Sequence, residues 1–83
     1  MNTLAERIRY LLNSKNVTPY EVEHKTGVTQ ATISRVINGV TKKLNITNTE
    51  ILAEYFGVTP EWLKNGENSN TLNQSNMSVK RKE

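Results

Sequence analysis

Gln30, Ala31, Thr32, Ser34 and Arg35 are the residues whose types and spacing could do chemistry, and that chemistry is recognition by hydrogen bonding. All five are small or hydrogen-bonding. They interleave with Ile33, Val36 and Ile37, which fall at i, i+3 and i+4. That spacing makes one apolar stripe of a helix and leaves the polar set on an outward flank. Bond-making chemistry has no comparable support. The 83 residues include no cysteine and one histidine, His24, and they offer no Ser/Cys–His pair, glycine-rich phosphate loop or suitably placed carboxylate cluster. No enzyme activity, metal or cofactor is expected, and His24 reads as an exposed helix residue.

The elements that must hold this flank can be read from their caps. Thr18, Pro19 and Glu21 make a capping box with proline at the first helical position, where its missing N–H would be unpaired anyway. The helix they open should run from Pro19 to about Lys25 and stop at Gly27, which can turn left-handed. Thr29 caps the next helix, Gln30 to about Asn38, closed by Gly39. Two helices joined by a tight turn, with a polar outer face on the second, suit the major groove of DNA. An ordinary helical hairpin with a solvated face has the same periodicity.

Around this unit stand three further helices. Thr3 and Glu6 form a capping box, and Leu4, Ile8, Leu11 and Leu12 follow at i, i+4, i+7 and i+8. The helix should end near Lys15-Asn16. Its other face carries Glu6, Arg7, Arg9 and Asn13, and the two arginines read as solvated, within reach of a phosphate. After Gly39 comes a short connection with the adjacent Lys42 and Lys43, either plain soluble surface or, directly after the polar-flanked helix, a pair that meets a phosphate backbone; the second is preferred. The fourth helix has two possible starts, Asn45 or a Thr47/Glu50 capping box; Asn45 is preferred because Ile46 then joins Thr49, Leu52, Ala53 and Phe56 on one face. Thr59 and Pro60 open a fifth helix to about Lys64, stopped by Asn65-Gly66. Its Trp62 either covers the core edge or enters a subunit interface.

These helices predict an all-α, compact five-helix domain over residues 1–66. A domain of about 60 residues buries only about 60% of its unfolded surface, so modest stability is expected. The net charge of +3 and pI near 9.4 lean toward an anionic partner. No stretch is long or apolar enough to span a bilayer, and no signal-peptide core is evident, so a reducing cytoplasmic setting is the expectation. Residues 67–83 are rich in Asn and Ser and end in Lys80-Arg81-Lys82. They are expected to form a disordered polar tail, either a linker or a basic arm that adds non-specific attraction to DNA.

With the five helices in place, residues 4–66 resemble the phage Cro/repressor helix-turn-helix family, also called XRE-like. The resemblance is carried by Val17-Thr18, Gly27-Val28-Thr29, Ile33-Ser34-Arg35 and Asn38-Gly39, and by the run Leu52-Ala53-Glu54-Tyr55-Phe56-Gly57-Val58-Thr59-Pro60-Glu61-Trp62-Leu63 with Asn65-Gly66-Glu67. It implies that Gln30, Ala31 and Arg35 read bases, with Thr32 and Ser34 beside them. The side-chain chemistry agrees: glutamine pairs with adenine, arginine with guanine, and the alanine methyl meets a thymine methyl. Thr18, Thr29, Asn38, Thr41, Lys42 and Lys43 fall where the family touches the sugar-phosphate backbone, which fixes register without reading sequence.

Three features depart from the family pattern. Pro19 replaces a frequent glutamine that reaches a phosphate. Glu23 stands where the family usually has a small residue at the helix crossing, so its side chain must bend outward or widen the crossing. Leu12 and Ile37 replace a common arginine–glutamate pair, a double exchange of charge for apolar groups that leaves no charge unmatched.

The resemblance implies a sequence-specific double-stranded DNA-binding transcriptional regulator, a repressor, acting as a homodimer with Val58 and Trp62 in the dimer contact. The competing expectation is an antitoxin or protein-interaction module with the same fold, taking a protein partner through its tail.

Overall fold

The computed structural model describes residues 3–66. The expectations for residues 67–83 lie outside the described residues. Those described form five helices: α1 Leu4–Lys15, α2 Pro19–Thr26, α3 Gln30–Ile37, α4 Ile46–Phe56 and α5 Pro60–Asn65. No strand occurs among them.

Each helix begins on a side chain that takes up an amide the helix itself leaves unpaired. Thr3 and Thr18 form reciprocal capping boxes with Glu6 and Glu21. Thr29, Asn45 and Thr59 accept from the N–H groups of Thr32, Asn48 and Trp62. Asn45 is thus the start of α4, and the Thr47/Glu50 alternative is not used. Ile46 does not secure that start, however. Ile46 is 74% exposed and lies outside the apolar face, so the Asn45 side chain, bonded to the Asn48 N–H at 2.7 Å, is what fixes the boundary.

The core is one cluster drawn from every helix and from the turn after α2. Leu4, Ile8, Leu11 and Leu12 of α1 meet Val22, Val28, Ile33, Val36, Leu52, Ala53 and Leu63. In it α1 packs on α3 and α5, α2 on α3 and α4, and α4 on α5. Burying Ile33 and Val36 contributes about 1.5–3 kcal/mol each and fixes which side of α3 faces inward. Leu12 is buried in this cluster and Ile37 packs against it, so the apolar pair that replaces the family's ion pair sits in an apolar environment. Trp62 also packs against the cluster and meets the Tyr10 ring at 6.3 Å between centroids.

The reading of Arg7 as a solvated residue is overturned. Its side chain is buried, with 4% exposure, and donates to two main-chain oxygens at the end of α5, Leu63 at 2.8 Å and Lys64 at 2.9 Å. Burial lowers its pKa from the ordinary value while Glu6 acts in the opposite sense. Arg9 is exposed but also engaged, donating to the Ile37 carbonyl at the end of α3. Two residues apart on one helix, the arginines point about 200° apart and so serve different neighbours. Both carry positive charge to the negative end of a helix dipole.

Candidate nucleic-acid interface

The turn between α2 and α3 is built from short-range hydrogen bonds. The Gly27 N–H donates to the Glu23 carbonyl at 2.9 Å, and Gly27 itself is left-handed, at φ +86°. The Thr26 hydroxyl donates to the Val22 carbonyl at 2.7 Å and accepts from the Val28 N–H at 3.1 Å. Val28 then enters the core at 3% exposure, which anchors the turn from below. Thr29, the first residue beyond it, caps α3.

On α3 the inward stripe and the outward flank separate as the spacing predicts. Ile33 and Val36 are buried and Ile37 half-buried, while Gln30, Ala31 and Arg35 are exposed. Thr32 and Ser34 differ from the expectation of a fully outward set, since both are half-buried. The Thr32 hydroxyl accepts from the Thr29 hydroxyl at 2.9 Å, and the Thr32 N–H donates back to Thr29 Oγ1 at 3.1 Å. The exposed part of the flank is therefore led by Gln30, Ala31 and Arg35.

The residues singled out for a phosphate backbone fall at helix ends and in the segment after α3. Thr18 stands exposed at the start of α2 and Thr29 at the start of α3, each with its hydroxyl already accepting a cap bond. Asn38 is the exposed C-cap of α3. The Arg35 carbonyl accepts from both the Val40 N–H, at 2.9 Å, and the Thr41 N–H, at 3.1 Å. This folds the following segment back against the end of α3. A Cβ placed on Gly39 would lie 3.8 Å from Lys42 Nζ, so that ammonium rests beside the turn. Lys42 and Lys43 are exposed and Thr41 is half-buried. Val58 and Trp62, assigned to a dimer contact, lie half-buried around the start of α5.

One contact was not anticipated in this form. Glu23 bends outward, and its Oε1 accepts from the Gln30 N–H at 2.7 Å, joining α2 to the first residue of α3. Helix-cap rules look three residues along the chain, whereas Glu23 acts across seven. The missed signal for Arg7 is simpler. It stands three residues after Leu4 and four before Leu11, on the shoulder of the apolar stripe.

Among the described residues no group of His, Cys, Asp and Glu is placed to hold a metal ion, and no helix is long and apolar enough to cross a membrane.

This arrangement has relatives. A helix-turn-helix family model matches residues 8–63. Three curated transcriptional regulators are each 32% identical over 79 residues: those for conjugative element R391 of Providencia rettgeri, SXT of Vibrio cholerae and pMERPH of Shewanella putrefaciens. The match covers 95% of this chain but 36% of each relative, so the chain spans about a third of their length. Among solved structures, the P22 c2 repressor protein in complex with the synthetic operator 9T superposes with a TM-score of 0.72 at 22% identity, covering 81% of this chain and all of that one. The chain belongs to the helix-turn-helix family.

Proposed function

We propose that this domain is a sequence-specific double-stranded DNA-binding transcriptional regulator, a repressor, with α3 as its recognition helix in the major groove. The observation that carries this reading is the exposed set Gln30, Ala31 and Arg35 on a helix held rigidly from behind by Ile33 and Val36. Side chains of these types can read base edges, and a helix fixed by its buried stripe presents them at a set depth. Thr18, Thr29, Asn38, Thr41, Lys42 and Lys43 flank the set and supply contacts to phosphate oxygens. The regulators named above and the repressor–operator complex support the assignment.

A single short recognition helix gives few base contacts, so the domain acts as a homodimer on two half-sites about 34 Å apart. Val58 and Trp62 contribute to that contact. Binding-site selection from random duplexes, repeated at two salt concentrations, tests the proposal. A palindromic consensus whose half-sites are one helical turn apart is the expected result. Enrichment of no sequence over bulk competitor would end the regulator reading.

A further inference from the structure

Behind α3, where its end meets the start of α1 and the end of α5, lies a cavity of about 470 Å³. That size falls within the range of small-molecule sites, about 300–1,000 Å³. Lys42, Lys43 and Lys64 line it together with Arg7, and no acidic residue does. The three lysines are exposed, and among the described residues no ion pair engages them. Thr3 and Thr41 add hydroxyls to the same wall. Arg7 is the sharpest observation. It is 4% exposed, and its two bonds to the end of α5 use Nε and Nη2, so Nη1 has no hydrogen-bond partner among the described residues. A buried guanidinium donor left open, in a hollow lined by three more cations, calls for an anionic acceptor. A concave wall of one charge sign also concentrates such anions.

We propose that this cavity binds a small phosphorylated ligand, held by Arg7 and the three lysines, and that the bound ligand releases the domain from DNA. The regulatory half rests on the DNA-binding reading, in which Lys42 and Lys43 meet the phosphate backbone. A phosphate group suits the site because it brings several acceptor oxygens and full negative charge to converging donors. The wall lies away from the base-reading flank. Gln30, Ala31 and Arg35 do not line it, whereas buried Val36, about 140° around α3 from Ala31, does. Lys42 and Lys43 therefore stand between two partners, and an ammonium drawn into the cavity is withdrawn from the duplex. Ligand and DNA then oppose each other, each weakening the other by the same factor.

Inorganic pyrophosphate is the probe, used on the complete chain without divalent cations and at constant ionic strength. In the free protein, a titration followed by amide and Arg7 Nε–H resonances should give saturable shifts centred on Arg7, residues 39–43 and Lys64. Lys64→Ala is the discriminating variant, since its main-chain oxygen still accepts from Arg7 and its side chain has no assigned DNA contact. It should bind pyrophosphate about tenfold more weakly, yet bind the selected duplex as the wild type does. Saturating pyrophosphate should weaken wild-type binding to that duplex about fivefold or more. At the same concentration Lys64→Ala should respond far less. Absence of saturable binding, shifts centred on Gln30 and Arg35, or unchanged pyrophosphate affinity in Lys64→Ala overturns the proposal. So does weaker duplex binding by Lys64→Ala with a salt slope smaller by about 0.9, because the cavity then takes a phosphate of the DNA strand. Saturable binding that leaves duplex affinity unchanged overturns the regulatory half. If the wild type prefers no duplex while pyrophosphate still fills the cavity, the regulator reading fails and the ligand site stands.

Discussion

The guanidinium of Arg7 donates from Nε to the main-chain oxygen of Leu63 at 2.8 Å, across 56 residues of sequence. A second bond, from Nη2 to the Lys64 oxygen at 2.9 Å, completes a clasp between the first and last helices. α5 has only six residues and would be marginal alone, so its final turn depends on partners outside it. Arg7 supplies both hydrogen-bond donors and a charge of the right sign for that helix end.

Arg7→Ala should therefore destabilise the domain by about 3 kcal/mol, since two charge-assisted bonds are lost and two carbonyls lose their buried partner. Urea unfolding of the variant measures it. Arg7→Lys can restore the charge but not the two-pronged geometry, and should recover only part of the loss. A change within about 0.5 kcal/mol, typical of a plain surface position, would show that the clasp contributes little.

Why Arg7 was misread while the helices were not is a matter of range. Caps and stripes act over three or four residues, so Thr3, Thr18, Thr29, Asn45 and Thr59 announce their helices from sequence alone. Arg7 and Arg9 end on carbonyls of α5 and α3, and nothing local specifies which helix end will lie within reach. Glu23 belongs to the same class, because its acceptor role exists only once the turn has brought Gln30 to it. Ile46 shows the converse limit. Its spacing fits the apolar face of α4, yet the first turn extends past the core and the side chain stays in solvent. The flank of α3 was legible because buried Ile33 and Val36 dictate it; the partial burial of Thr32 and Ser34 depends on cap geometry and neighbouring helices.

Arg35 tests direct reading. It is exposed, lies in the last turn of α3, and its main chain anchors the segment that follows through the Arg35 carbonyl. Arg35→Ala keeps that carbonyl, so the segment should hold its place. Discrimination at one base-pair position should fall by about 1–3 kcal/mol, read by repeating the duplex selection with the variant. Uniform weakening on all sequences would assign Arg35 to the phosphate backbone.

Lys42 and Lys43 test the complementary role. Both are exposed in the segment that Arg35 holds against α3. Each phosphate contact removed should reduce the slope of log affinity against log salt by about 0.9, without altering the preferred sequence. Alanine variants titrated at several salt concentrations give that slope directly. If it stays constant, the two lysines lie outside the interface.

Gly27 allows the backbone requirement of the turn to be separated from packing. At φ +86° it lies in the left-handed region, and a Cβ added there would meet nothing within 4 Å. Any loss on substitution is therefore conformational, with no steric part. Gly27→Ala should cost about 1–2 kcal/mol, the usual penalty for an L-residue in that region. Gly27→Asn should cost less, because asparagine enters it more readily. Denaturant unfolding should show the midpoint falling with an unchanged slope, the mark of a stability change that leaves the exposed surface on unfolding the same. Operator affinity per folded molecule should hold in both variants if Thr29 and Glu23 still fix the start of α3. A drop in that affinity despite a folded domain would mean that the turn's conformation, and not these two side chains, sets the pitch of the recognition helix.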